Sequence, residues 1–190
     1  MHFAVKDYEE MLGAAVAAAP VPGAELFALL DRLTAPTYVT DAAGVVTFFN
    51  QACVEFAGRT PVTGVDRWCV TWKLYTSGGT ELPHHACPMA LAIQRKQAIR
   101  GAQAVAERPD GSRVEFLAHP TPLFDEAGET VGAVNMLVDI TARKQAAHLE
   151  AQALRCLRLA ASVDDARATS TLKAMAAEYR TQARALRRPN

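Results

Sequence analysis

Hydrophobic and polar positions alternate most clearly between Arg113 and Thr121, where Val114, Phe116 and Ala118 interleave with Arg113, Glu115 and His119. A period of two is the mark of a strand with one buried face. A run before it, Gly101–Arg108, is joined to it by Arg108-Pro-Asp-Gly-Ser112. A run after it, Thr130–Thr141, follows Phe124-Asp-Glu-Ala-Gly128. Proline presets φ in the first turn, and Asp and Gly tolerate the φ > 0 that closes a hairpin. The last run is apolar at both parities, which predicts cover on both faces. The three runs together predict an antiparallel meander.

Upstream, Lys6–Ala19 reads as an Ala-rich helix broken by Pro20-Val-Pro-Gly23. Glu25–Leu33 places Leu26, Leu29, Leu30 and Leu33 on one helical side. That stripe must cover either the open face of the sheet or a second copy of the chain. Pro36–Asp41, the turn Ala42-Ala-Gly44 and Val45–Phe49 predict a first hairpin, and Asn50 is placed to cap a short helix over Gln51–Ala57 ending at Gly58. Arg59–His85 looks irregular. Pro88 suits the first turn of a helix over Met89–Gln97, with Met89, Ala92, Ile93 and Lys96 on one face. After Thr141, Ala146, Leu149, Ala153, Cys156, Leu157, Ala160 and Val163 recur at helical spacing. Ala168, Leu172, Met175, Ala176, Tyr179, Ala183 and Leu186 then repeat the pattern. Ser162-Val-Asp-Asp165 reads as a capping box between them. An αα-hairpin, or an antiparallel element completed by a partner, is expected.

At 190 residues with half of them hydrophobic, the chain can bury a sizeable core. No apolar run reaches the ~18 residues of a membrane span. The acidic start, Met1–Glu10, lacks a basic leader region, so neither a membrane nor a signal peptide is expected. Cys53, Cys69, Cys87 and Cys156 form no C-x-x-C pair, which points away from zinc or a disulfide framework and toward a reducing cytoplasm. Net charge is zero but uneven. From Ala142 onward ten Lys+Arg face four Asp+Glu, a net of +6, which leaves −6 on Met1–Thr141. Arginine is a good helix former on a solvated face, and no nucleic-acid-reading motif accompanies the basic excess. An acidic surface, on a protein partner or on this chain, is the more natural target. No local Ser/His/Asp or paired-carboxylate motif stands out, and His148 is followed by no Gly-rich segment. An enzyme is not expected.

The order of elements, with Val39–Asn50, the Arg-Pro-Asp-Gly-Ser turn, Thr121-Pro-Leu-Phe-Asp125, Gly128, Gly132 and Val138-Asp-Ile-Thr141, resembles a PAS domain. The resemblance implies an α+β fold. Its five-stranded antiparallel sheet carries helices across one face, a small-molecule cavity lies between them, and output passes through flanking helices. It divides the chain into an N-terminal helical cap (1–32), the PAS domain (33–141) and a C-terminal amphipathic pair (142–190). Register with the PAS pattern turns Phe116, Asn135 and Leu137 inward, facing Trp68, Trp72, Met89 and Ile93 from the helical side. These seven are the candidate pocket. Asn135 reads equally as a ligand's hydrogen-bond partner or as a buried amide satisfied by a neighbour, whereas aromatic and Met positions at such spacing are more often plain core.

A flavin-binding LOV domain carries Gly-x-Asn-Cys-Arg-Phe-Leu-Gln, and the matching place here, Gly64-Val-Asp-Arg-Trp-Cys69, has Arg67 at the cysteine position. That argues against LOV photochemistry. His84, His85 and Cys87-Pro88 resemble haem ligation in some sensors, though the same residues make an ordinary solvated loop and helix start. Asp139 and Thr141 are the candidates for coupling sheet to output helix. The expectation is a sensory or adaptor protein that binds a small molecule or a protein partner through its C-terminal helices and forms a homodimer. Its rivals are a haem-dependent redox or gas sensor and a ligand-free dimerisation scaffold.

Overall fold

The computed structural model describes residues 5–187. The first four residues of the expected N-terminal cap and the last three of the basic tail lie outside them. Two compact units divide at the Asp139–Ile140 bond. Among the described residues no helix is long and apolar enough to cross a membrane.

The first unit begins with α1 (Val5–Ala18) and α2 (Ala24–Asp31), followed by the hairpin β1 (Thr37–Asp41) and β2 (Val46–Phe49) and then α3 (Gln51–Ala57). A short strand β3 (Lys73–Tyr75), a 3-10 turn at His84–Ala86 and α4 (Pro88–Arg95) come next. The meander comprises β4 (Ala102–Glu107), β5 (Arg113–Ala118), β6 (Thr121–Phe124) and β7 (Thr130–Asp139). The sheet order is β2-β1-β7-β5-β4-β3, with β6 also on β7. The long strand β7 is the axis. On one side it pairs with β1, from Thr37↔Met136 to Asp41↔Gly132. On the other it pairs first with β6 and then with β5, ending at Phe116↔Asp139.

The expected five strands become seven for two reasons. The run 113–121 breaks at His119-Pro120, because proline has no N–H to give the ladder, and resumes as β6. The segment read as irregular also contributes β3, which adds an edge to β4 through Lys73↔Glu107 and Tyr75↔Val105.

Alternation along the strands sends side chains to two cores. On the inner face Tyr38, Ala104, Ala106, Val114, Phe116, Ala118, Ala133 and Leu137 pack with Cys53 and Phe56 of α3 and with Met89, Ala90 and Ile93 of α4. On the outer face Val39, Leu123, Val134 and Met136 meet Leu12 and Ala15 of α1 and Leu26 and Leu30 of α2. The leucine stripe of α2 is therefore used within the chain, on the sheet's outer face. Phe27 stacks on Phe48 there, with ring centroids 4.7 Å apart. Gly132 sits where β7 and β1 approach most closely, and a Cβ at that position would run into the Thr40 carbonyl.

Asn50 ties three elements together. Its Oδ1 accepts from the N–H of Thr37 and of Cys53, and its Nδ2 donates to the carbonyls of Leu33 and Ala35 at 3.0 and 2.9 Å. One amide thus ends the α2 region, starts β1 and caps α3. At the other end of α3, Gly58 takes a left-handed conformation with φ 63°. There Arg108, from the turn before β5, donates to the Phe56 carbonyl at 2.9 Å, a cation placed on a helix C-terminus.

The second unit is the hairpin of α5 (Thr141–Ala161) and α6 (Ala166–Leu186). Its seam is made of small side chains, Ala153, Cys156 and Ala176, flanked by Leu157 and Tyr179. The expected capping box resolves differently. The Ser162 hydroxyl donates back to the Leu159 carbonyl and closes α5, while Asp165 caps α6 by accepting from the Ala168 N–H. Asp165 immediately precedes α6, whereas Ser162 closes α5, so the acidic residue takes the role assigned to the serine.

Candidate functional site

The inner face of the sheet, closed over by α3, α4 and the segment between them, brings most of the candidate pocket residues together. Met89 and Leu137 are fully buried, Phe116 and Ile93 nearly so, and all four belong to one core cluster. Phe116 meets the ring of Phe56 edge-on at 5.4 Å. Trp68 is half-buried against the same cluster. Trp72 is the exception. It is 54% exposed, because the chain approaching β3 turns Thr71 and Leu74 inward and leaves Trp72 and Lys73 outside.

Three hydrogen bonds run through this apolar core. The Asn135 amide donates to the Tyr38 hydroxyl at 3.1 Å, and that hydroxyl donates to the Trp68 carbonyl at 3.0 Å. Asn135 Oδ1 accepts from the His119 N–H at 3.0 Å. Both ends of the Asn135 amide thus have protein partners. Trp68 is held with φ at 67°, a left-handed conformation that costs energy for a bulky residue. Its ring lies against Gly44, which has no Cβ to collide with it, and its N–H donates to the Gly44 carbonyl at 2.6 Å.

Two thiols, Cys69 and Cys87, lie near the Tyr38 hydroxyl, with Cys53 in the same core cluster, a feature the sequence pattern does not single out. Cys69 Sγ lies 3.2 Å from Thr71 Oγ1, Cys87 Sγ donates to the Trp68 carbonyl at 3.6 Å, and Cys53 Sγ donates to the Thr37 carbonyl at 3.3 Å. Burial pushes the Cys53 and Cys87 thiols up to about 12. Burial, with Cys69 and Cys87 nearby, holds the Tyr38 phenol well above its ordinary value. These groups are neutral at physiological pH. They serve as weak donors rather than as nucleophiles or thiolate ligands.

The residues weighed for haem do not converge. Cys87 is interior, His85 is exposed, and His84 is half-buried with its pKa lowered by burial and then by Arg59. Among the described residues no group of three His, Cys, Asp or Glu is placed to hold a metal ion. Arg67, at the place of a LOV cysteine, is exposed and donates to the Ala43 carbonyl. Cysteine-adduct flavin chemistry therefore has no nucleophile at that position.

Behind the sheet, His119 makes a second polar feature. Its ring is 1% exposed, and Nδ1 lies 2.8 Å from Glu9 Oε1 of α1. Its Nε2 is buried without a partner among the described residues. Burial lowers the His119 pKa, with Arg100 acting the same way and Glu9 opposing. A lowered folded pKa means that the opened form takes up a proton first. Stability is then complete above the ordinary histidine range and is lost as pH falls through it. The expected result is that α1 amides, corrected for the intrinsic exchange rate at each pH, are less protected near pH 5.5 than near pH 7.5, and that His119→Gln removes most of that difference. An unchanged pH profile in the variant would assign the effect to another group.

β7 ends at Asp139 and α5 starts at Thr141, with Ile140 as the only residue between them. Asp139 is exposed and Thr141 half-buried.

Comparison with known proteins places this architecture. No curated protein matches the chain. The PAS domain of the fruit-fly ELK potassium channel is 15% identical, with 59% of this chain and 91% of that one covered and a TM-score of 0.48. An RNA-binding light-oxygen-voltage receptor is 18% identical over 71% of this chain and 35% of that one, at 0.48. The RsLOV d2 variant is 13% identical over 97% and 99%, at 0.47. A protein family described as the PAS fold matches residues 30–145, which takes in the whole sheet, its inner-face helices and the Asp139–Thr141 junction. The chain belongs to the PAS fold family.

Proposed function

We propose that this protein is a non-enzymatic sensory adaptor of the cytoplasm, a homodimer that takes a small, largely apolar ligand into the inner chamber. The observation that carries this reading is the hydrogen-bonded line Asn135–Tyr38–Trp68 carbonyl, set in an otherwise apolar wall. Ligand sites are built this way, with a few oriented polar groups fixing a molecule that apolar walls hold. A ligand carbonyl or hydroxyl could replace the Tyr38–Trp68 bond and release the strained Trp68 backbone. Signalling then follows as a population shift: occupancy changes how β5 and β7 pack, and β7 passes the change to α5 through Asp139 and Thr141.

The test is an absorption spectrum of the purified protein from about 250 to about 700 nm, followed by mass spectrometry of what denaturation releases. A released small molecule supports the proposal. Asn135→Leu and Tyr38→Phe should then weaken its binding roughly tenfold each, and Asp139→Ala should change dimer geometry at nearly unchanged affinity. A Soret band lost in Cys87→Ala or His85→Ala would replace this reading with a haem sensor, and a flavin spectrum would name flavin as the ligand. Nothing released, and no shift in melting with added metabolite mixtures, would leave the scaffold reading.

A further inference from the structure

The α5–α6 hairpin carries a groove whose chemistry fits a specific kind of partner. A cleft of about 250 Å3 between the two helices is lined by Glu150 and Leu154 from α5 and by Arg180 and Arg184 from α6. Leu154 is 50% exposed in it. Arg180 and Arg184 are one helical turn apart, both are exposed, and neither has an ion-pair or hydrogen-bond partner among the described residues. The carboxylate in the cleft, Glu150, is already taken by Arg187 at 2.9 Å. Lys173 is seven residues before Arg180, so at 100° per residue it falls on the same face of α6. The result is a line of cations at 173, 180 and 184 beside the half-exposed Leu154, on a unit whose sequence from Ala142 onward carries a net +6.

We infer that this groove is the docking site for an acidic amphipathic helix of a partner protein. The inference rests on the sensory reading above, since it names what the output helices hold. Two antiparallel helices leave a furrow that a third helix can fill by ridges-into-grooves packing. Carboxylates repeating at i, i+7 and i+11 on that third helix would meet Lys173, Arg180 and Arg184 in turn, while an apolar side chain covers Leu154. Guanidinium groups suit carboxylates through their paired donors. Two other anionic partners fit less well. No aromatic side chain lines the cleft to stack a nucleic-acid base. A lipid surface needs its apolar anchor on a ridge, and Leu154 lies in a furrow.

The experiment uses the full chain and a fluorescein-labelled helical peptide of about 20 residues, with Glu at i, i+7 and i+11 beside a Leu stripe. Its controls are the same composition in scrambled order, a DNA duplex, and vesicles of phosphatidylserine with phosphatidylcholine. The ordered peptide should bind roughly tenfold more tightly than the scrambled one, and Arg180→Ala with Arg184→Ala should remove most of that difference. Glu150→Gln should tighten binding, because it removes the one repulsive carboxylate and frees Arg187. A gain of binding cannot come from misfolding. Equal binding of the scrambled peptide, tighter binding of DNA or vesicles, no binding at all, or indifference to these substitutions would overturn the inference. The chamber plays no part in this readout. A protein that binds the peptide but no small molecule would refute the sensory reading alone, and the reverse result would refute the groove alone.

Discussion

Replacing Asn50 by Ala is expected to destabilise the first unit by about 3–5 kcal/mol, well beyond the ~1 kcal/mol of an ordinary helix cap. The reason is the number of buried groups that depend on one amide. Its removal strands the Thr37 N–H and the Leu33 carbonyl and takes one of two partners from the Cys53 N–H, which keeps the Asn50 backbone carbonyl, and from the Ala35 carbonyl, which keeps the Thr37 hydroxyl, at a residue only 2% exposed. A buried donor or acceptor left without a partner costs roughly 1–3 kcal/mol, and partial recovery by neighbouring water keeps the total below the simple sum. Urea denaturation monitored by circular dichroism should show a lower midpoint at constant slope. A loss under about 1 kcal/mol would mean that water fully replaces the amide. Asn50→Asp makes a sharper test. It keeps the acceptor for the two N–H groups but turns a second carboxylate oxygen on two carbonyls. That carboxyl would favour its protonated form in the fold, so the variant's deficit should shrink as pH falls.

Asn50 also marks how far the sequence speaks for itself. Its role as a cap was legible because Asn followed by a short apolar run ending in Gly is a local signal. Its reach to Leu33 and Ala35 was not, since those contacts depend on how α2 enters the sheet. The same division runs through the fold. Hairpins at Arg108–Ser112 and Phe124–Gly128 formed where Pro, Asp and Gly placed them, because turn chemistry is local. The break at His119-Pro120 went unread in a run whose alternation on either side was strong, although proline inside a strand is a known interruption. β3 went unread because three residues are too few to display a period. The leucine stripe of α2 announced a buried face, and only the tertiary structure shows that the face lies on Val134 and Met136. The capping assignment slipped by three residues, from Ser162 to Asp165, because both residues satisfy the same motif.

The chamber was half legible for similar reasons. Strand parity placed Phe116, Asn135 and Leu137 on the inner face, where alternation leaves little freedom. The helical wall was harder, because Trp68 and Trp72 lie in an irregular stretch without a period to orient them. One turned in through a left-handed backbone at its own position, and the other turned out. Tyr38 lies on the inner face by the period of two in β1, since Val39 beside it belongs to the outer one. The thiols of Cys53, Cys69 and Cys87 are spread over 34 positions from first to last, and no spacing rule brings them together. The pairing of His119 with Glu9 spans 110 residues, beyond any local signal.

Phe116→Ala should be the most informative change inside the chamber, with an expected loss of roughly 3–5 kcal/mol. The ring is 2% exposed, and its edge-on contact with Phe56 accounts for about 1 kcal/mol of the total. The rest is apolar area and the void left behind, measurable by the same urea titration. The void would be lined by apolar groups, and such cavities stay dry and admit small aromatic molecules. Saturating toluene should therefore restore part of the lost stability. A loss below about 1 kcal/mol with no response to toluene would mean that α3 and the sheet close the gap by themselves. The substitution also separates the two readings of the chamber. Phe116 pairs through its backbone with Asp139, so repacking at this position bears directly on the strand end that leads into α5. If the chamber is only a scaffold, the whole effect is stability, and dimer geometry at low temperature is unchanged once the fold is intact. If the chamber is a ligand site, the same variant must bind the released molecule with altered affinity and shift the geometry of the proposed dimer as is expected of Asp139→Ala, because one packing change would move both the wall that holds the ligand and the strand that reports it.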